Sequence, residues 1–552
     1  MKTRKMLALL LVVVMTAGCM AGCRQAGSEN MESVNNEVSS SVENESVETT
    51  APEDESLYPL VKEGEEVTLK GVVFGTFNED KGDRLIWQKV EEVTGINIEF
   101  ELIDTAAMNT YLASSEWPDF FLGNISDVIV YDYGVIGGKF INILDYIDYM
   151  PNLAQTFEEY PASKNGFVEE NGGMYNFPRV AEATTSVSVR QYWRTDLLEE
   201  YGLKAPTTVD EFKNTLAVLK EKTGKIQWIP KLGNKNFLKN TWYPGMFAAF
   251  GEYTELTFDA EEDGTVVFTR ATDQMKHFYE YMNELYEEEL IHQECYSIDG
   301  VLARSIEQEG NMLVLEFAAT RMTPEMFKDG DISYLSCAAP LTSEYDSTQT
   351  IRCGDYVQKA LGPYINANSE HVELMCQMFD IMYATEEVVE GSGLLGDSFT
   401  YGMMGEHWVI DEGGETYSQI LPEGYEGTFS EFQSKELIFS NLGRCTSLSN
   451  IVTSTPGNAQ AREESFVEFV WPYVTDQPFP TDMLRFTEDE RYVIEQKWTE
   501  IENYFYEMEA KFVTGVVDIE TGWEDYLATL ERMGLQEVLK VYQAAYDRWC
   551  AN

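Results

Sequence analysis

The chain has 552 residues, 44% of them apolar, and its 31 Tyr, 29 Phe and 10 Trp exclude a disordered polymer. Its length suggests roughly two to four domains' worth of folded chain. With 39 basic against 95 acidic residues, the net charge of −56 repels phosphate backbones and anionic lipid heads, which excludes nucleic acid as a partner. Solubility outside a cell accounts for the acidity most simply.

Two of the eight cysteines, Cys19 and Cys23, lie in the leader. The others, Cys295, Cys337, Cys353, Cys376, Cys445 and Cys550, form no C-x-x-C pair, so zinc-ribbon and thioredoxin readings fail. One or two bridges remain open in an oxidising compartment.

The first residues, Met1-Lys-Thr-Arg-Lys5, form a basic n-region, and Met6 to Met15 is an apolar run too short to span a membrane comfortably. Residues 1–22 therefore read as a signal peptide. Thr16-Ala-Gly-Cys19 and Met20-Ala-Gly-Cys23 both resemble the lipobox of bacterial lipoproteins. Cys23 is the expected lipid attachment site because the tether starts right after it, with Cys19 as the alternative. Residues 23–56 lack aromatic residues and periodicity and read as an acidic, self-repelling linker.

The folded body follows. Val67 to Phe74 predicts a buried strand, Leu85 to Val93 an amphipathic helix stopped by Gly95, and Ile96 to Leu102 an alternating strand. A short helix over Met108 to Ser114 and a strand over Asp119 to Leu122 complete a β-α-β-α-β order, the signature of an α/β sheet. Thr207 or Thr208 caps a helix running to about Lys222. Met275, Phe278, Tyr279, Met282 and Leu285 form the apolar stripe of another over Asp273 to Glu289. Met312 to Phe317 predicts a strand. His371 to Glu387, Arg491 to Phe512 and Trp523 to Trp549 predict helices.

A series of landmarks then resembles the extracellular solute-binding proteins of the maltose-binding class (family 1), and more closely their large lipoprotein branch in carbohydrate ABC importers. They are LIWQKVEEVTGINIEF at 85–100, LASSEWPDFFL at 112–122, GKFINILDYIDYMPNL at 138–153 and GGMYNFPR at 172–179. APTTVDEF at 205–212, GPYINANSEHVE at 362–373, YGMMGEHW at 401–408, KFVTG at 511–515 and GLQEVLKVYQAAYDR at 534–548 follow in order. The resemblance implies an α/β, two-lobe periplasmic-binding-protein-like fold (type II) with a hinge and an interlobe ligand cleft over residues 57–552. Lobe 1 is expected at about 66–185 plus part of 362–405, and lobe 2 at about 190–355 plus the C-terminal helices. Crossings are expected near Thr185 to Val189 and Asp355 to Leu361. The implied partners are a solute, expected to be an oligosaccharide, the permease of an ABC importer, and the membrane of a Gram-positive-type surface through the lipid.

Sugars require aromatic faces and planar polar groups, drawn from loops after strands. Asn78-Glu79-Asp80-Lys81-Gly82 resembles the maltose-binding loop, which makes Asp80 and Lys81 polar candidates, with a solvated turn as the alternative. Trp117 is a candidate for stacking or for capping the sheet. Asn124 and Asp127 follow the same strand, where Gly123 replaces the aromatic residue expected from the resemblance. Trp242 and Tyr243 stand in an aromatic turn. Arg321 follows a strand and offers a guanidinium fork or a structural ion pair. Trp471 lies where the maltose-binding class has a stacking Trp. Trp193 and Trp408 are expected in the core.

Gly391-Ser-Gly-Leu-Leu-Gly396 matches G-x-G-x-x-G, but a helix is expected before it, so Gly391 reads as a helix C-cap and not part of a dinucleotide site. No P-loop or G-x-S-x-G is present, and the four histidines have no metal-ligand spacing. No catalytic residue, cofactor or metal is therefore expected. A surface lipoprotein glycosidase and a non-transport surface or signalling protein on the same fold are the rival readings.

Overall fold

The computed structural model describes residues 57–551, except 63, 76–83, 115, 182–190, 231–243, 253–256, 310–311, 317–323, 353–356, 440–441, 447–451 and 476–478. Strand β1 (Val67–Gly75), helix α1 (Leu85–Thr94), β2 (Ile96–Asp104), β3 (Phe120–Leu122) and α2 (Asp127–Val130) open the fold. Next come β4 (Pro178–Ala181), β5 (Gln191–Arg194), α3 (Val209–Thr223), α4 (Asp273–Glu287), β6 (Val314–Glu316) and β7 (Leu335–Cys337). The chain continues through β8 (Val357–Lys359), β9 (Tyr364–Ile365), α5 (Val372–Asp380) and β10 (Arg444–Cys445), and closes with α6 (Glu488–Val513), α7 (Ile519–Met533) and α8 (Leu535–Ala551).

The first sheet has the order β9-β3-β1-β2, with β1 parallel to β2 and β3 and with β9 antiparallel at the edge. Burial explains its sequence. Leu69, Val72, Val73 and Phe74 are buried along β1, and Gly71 leaves room for the rings of Phe120 and Phe100, which an added Cβ would meet at under 3 Å. Gly95 ends α1 in the left-handed conformation at φ 75° and returns its N–H to the Glu91 carbonyl.

Two large cores organise the body. One is built from residues within 61–180 and 357–442, with Met483 added from far down the chain. The other draws on 192–351 and 466–545, including the stripe of α4. The second core surrounds the three-stranded sheet β6-β5-β7, antiparallel throughout. The fold is thus α/β, with the two lobes of the solute-binding architecture.

Core membership changes between Ala181 and Tyr192, between Ile351 and Val357, and between Cys445 and Phe466, which makes three passes between the cores among the described residues. All three passes leave or enter one small sheet, β8-β4-β10, in which β8 is antiparallel and β10 parallel to β4. The first expected crossing, Thr185 to Val189, lies outside the described residues, and the second overlaps β8. The third was not expected from the sequence.

Other local readings change. The helix expected over His371 to Glu387 ends at Asp380, with one 3-10 turn to Tyr383. The Glu387 carboxylate accepts hydrogen bonds from the N–H groups of Gly391 and Gly393 at 3.0 and 2.6 Å, which winds 387–393 into a loop. Gly391, at φ 77°, is therefore a turn residue and not a helix C-cap. The stretch Trp523 to Trp549 is two helices, because Gly534 at φ 96° breaks it. Thr208, not Thr207, caps α3 by accepting from the Glu211 N–H, while Glu211 accepts from Thr207. The described cysteines, Cys295, Cys337, Cys376, Cys445 and Cys550, are unbridged.

Candidate interlobe ligand site

The carboxyl ends of β1 and β3 lie side by side, with Val73 level with Leu122. In an open α/β sheet this edge is where ligands are met. Gly123 to Asp127, singled out from the sequence, leave from it after β3, while Asn78 to Gly82 lie outside the described residues. Gly123 takes φ 119°, and a Cβ there would stand 2.4 Å from the Phe74 carbonyl oxygen. Its N–H donates to the Leu361 carbonyl at 2.8 Å. The aromatic residue expected at this position by resemblance cannot fit, since β1 and the chain entering β9 both close on this backbone.

Asn124 is exposed beside it. Asp127 opens α2, with Ser126 capping it through a side-chain bond to the Ile129 N–H. The Asp127 carboxylate pairs with the Lys359 ammonium of β8 and lies 3.7 Å from the Arg485 guanidinium. Burial alone would raise its pKa, but Lys359 and Arg485 pull it below the usual carboxylate range. Lys359 also donates to the Ile125 carbonyl at 2.6 Å. One ammonium from the β8-β4-β10 sheet thereby fixes the loop after β3.

Trp117 sits among Phe121, Tyr133 and Phe140, with ring centroids at 5.0 to 5.3 Å. Its indole N–H donates to the Leu112 carbonyl at 3.0 Å. The Lys139 ammonium lies 4.7 Å from its ring centroid and 5.0 Å from that of Tyr133. Trp471 starts a 3-10 turn after a helix, half-buried against the second core, with Phe466 at 6.1 Å. Trp193 and Trp408 are buried, at 2% and 0% exposure. Asp80, Lys81, Trp242, Tyr243 and Arg321 lie outside the described residues.

Sequence reasoning missed Lys139, Lys359, Glu169, Arg485 and Arg491. The available signal was scarcity: in a chain with 39 basic residues, a cation in an apolar stretch is worth a partner search. Among the described residues, no group of three or more His, Cys, Asp or Glu side chains could hold a metal ion. Nor, among them, is any helix long and apolar enough to cross a membrane.

Comparison with known proteins bears on this geometry. The chain is 24% identical over 498 residues to the fructooligosaccharide ABC transporter substrate-binding protein FusA of Streptococcus pneumoniae, covering 86% of this chain and 88% of that one. The chain is homologous to ABC-transporter substrate-binding proteins. FusA in complex with kestose superposes with a TM-score of 0.68 at 23% identity, covering 88% of this chain and all of that one. An HMO-binding, ABC-transporter-associated solute-binding protein from Bifidobacterium longum infantis also gives 0.68, at 16% identity, with 88% and 99% covered. Both structural matches have the same two-lobe fold as this homologue. Residues 482–551, from just before α6 to the end of α8, match a family described as a domain of unknown function (DUF3502).

Proposed function

We propose that this substrate-binding protein captures a neutral oligosaccharide in the cleft between its lobes and delivers it to the permease of an ABC importer, held at the cell surface by a lipid on Cys23. The observation that carries the reading is the 498-residue match to FusA, which runs through both lobes and all three interlobe passes. Fructooligosaccharides are the first ligands to try, because that relative is named for them. The Cys23 anchor, the 23–56 linker and the lobe limits given by the sequence belong to the same proposal.

The cleft contacts we assign are Asp80, Lys81, Trp117, Asn124, Asp127, Trp242, Tyr243, Arg321 and Trp471. Asn124 and Asp127 are supported by their place after β3, at the carboxyl edge of the first sheet, while Asp80 and Lys81 rest on the resemblance of their sequence to the maltose-binding loop. Contacts drawn from both lobes are made together only when the lobes close, so ligand shifts the population towards closure. The protein binds without turnover, in keeping with relatives that are binding components of transporters. A thermal-shift screen of the purified protein against kestose, longer fructans and other neutral glycans tests the reading. A rise in Tm with at least one oligosaccharide is expected, and a response to peptides alone would overturn it.

A further inference from the structure

Between the second core and the long helix α6, the chain makes a fourth approach to the first lobe. Phe479 and Leu484 are buried in the second core, but Met483 is buried in the first. Adjacent residues at the end of a 3-10 turn, Thr481–Met483, thus point into different cores. Gly166 makes the seat for Met483: a Cβ at that position would lie 2.7 Å from the Met483 side chain.

Two arginines extend this attachment. The Arg485 guanidinium lies over the Phe167 ring at 4.9 Å, 3.7 Å from a Glu169 oxygen and 3.7 Å from Asp127. The Arg491 guanidinium donates to Glu169 at 3.2 Å and lies over the Tyr131 ring at 4.3 Å. Glu169, Phe167, Asp127 and Tyr131 all belong to the first lobe, and Glu169 is only 4% exposed. Burial pushes the Glu169 carboxyl up, against the pull of the two guanidiniums. Withdrawing both arginines would strand a desolvated carboxylate, which is far costlier than losing a surface pair.

The other end of α6 belongs to the second lobe. A 26-residue helix is about 39 Å long. It starts at a capping box of Thr487 and Glu490, with Arg491 facing the first lobe, while Ile501, Phe505, Met508 and Phe512 are buried in the second core. Its first turn is also held by Arg548 of α8, which grips both oxygens of Glu490 and the Arg485 carbonyl. The start of the matched C-terminal segment is therefore fixed from both sides.

We propose that residues 479–491 form an interlobe brace, and that Arg485 and Arg491 are positioning residues that set ligand affinity by restricting the angle between the lobes. The brace runs beside the β8-β4-β10 sheet, since Lys359 of β8 shares Asp127 with Arg485. Only the affinity part of the proposal rests on the oligosaccharide-binding reading.

The test uses Arg485→Met with Arg491→Met, and separately the near-isosteric Glu169→Gln. Small-angle scattering of the ligand-free protein is expected to show a larger radius of gyration in both. With a ligand from the screen, affinity is expected to fall by about 5- to 150-fold, by the same factor for every ligand, with an unchanged ligand-bound radius. Arg491→Lys, which keeps the charge, is expected to retain most of the affinity. Folded variants, by circular dichroism, with the wild-type radius and wild-type affinity would overturn the brace. So would affinity losses that differ from ligand to ligand, which would make these residues ligand contacts. If no oligosaccharide binds, the ligand-free radius still decides on the brace.

Discussion

Glu509 lies on α6 in the middle of the second core, 3% exposed. One carboxyl oxygen accepts from the Tyr279 hydroxyl at 3.1 Å, and the other has no hydrogen-bond partner. Burial raises its pKa to about 7, with Arg270 and the Tyr279 bond pulling only partly back from that value. In the unfolded chain the group has the ordinary value near 4.5. The folded state therefore holds the proton more tightly, and this group's contribution to stability is complete below pH ~4.5 and is lost as pH rises through about 7. A separation of about 2.5 units corresponds to about 3 kcal/mol. Glu509→Gln keeps the shape, cannot ionise and removes that loss. Urea unfolding of both proteins at pH 4.5 and pH 8 is expected to show the variant gaining about 3 kcal/mol on the wild type between the two conditions. A stability difference that is the same at both pH values would refute this, since Glu509 would then titrate alike in the folded and unfolded chain.

Three other perturbations address the anchor, the sheet edge and the cleft. Cys23→Ser is expected to release the protein into the medium, read by fractionation, because the lipid anchor is lost; if only Cys19→Ser releases it, Cys19 carries the lipid. Gly123→Ala forces a side chain onto the Phe74 carbonyl at φ 119° and is expected to cost about 1–3 kcal/mol or more in urea unfolding, with weakened ligand binding; wild-type stability would mean that this backbone adjusts freely. Trp471→Ala is expected to weaken binding by roughly 1–3 kcal/mol in calorimetry with little change in Tm. Normal binding with earlier unfolding would place Trp471 in the packing against Phe466 instead.

Local periodicity made much of the first sheet legible. β1, α1, β2 and β3 each carry their own apolar pattern and stop signal, so Val67, Gly95 and Ile96 could be read without tertiary information. The helix expected to run to Glu387 failed for a reason no periodicity expresses: a single carboxylate folds back onto two glycine N–H groups. Gly534 was a visible break, but the apolar stripe on either side concealed it. The third interlobe pass leaves from a two-residue strand, Arg444–Cys445, too short to carry a pattern. The ion cluster of Asp127, Glu169, Lys359, Arg485 and Arg491 joins residues up to 364 positions apart, and only the folded chain brings them together. Asp127 was noticed from its place after a strand, but its cationic neighbours were not. Resemblance supplied what periodicity could not, namely the two-lobe architecture.

Uptake of an oligosaccharide between the lobes is the function proposed for this homologue of transporter substrate-binding proteins. Isothermal titration calorimetry with kestose and a panel of neutral oligosaccharides, followed by scattering at saturation, tests it most directly. Saturable binding of one oligosaccharide per chain is expected, with a smaller radius of gyration when bound. Hydrolysis of the sugar during the titration, or heat and compaction only with peptides, would contradict it.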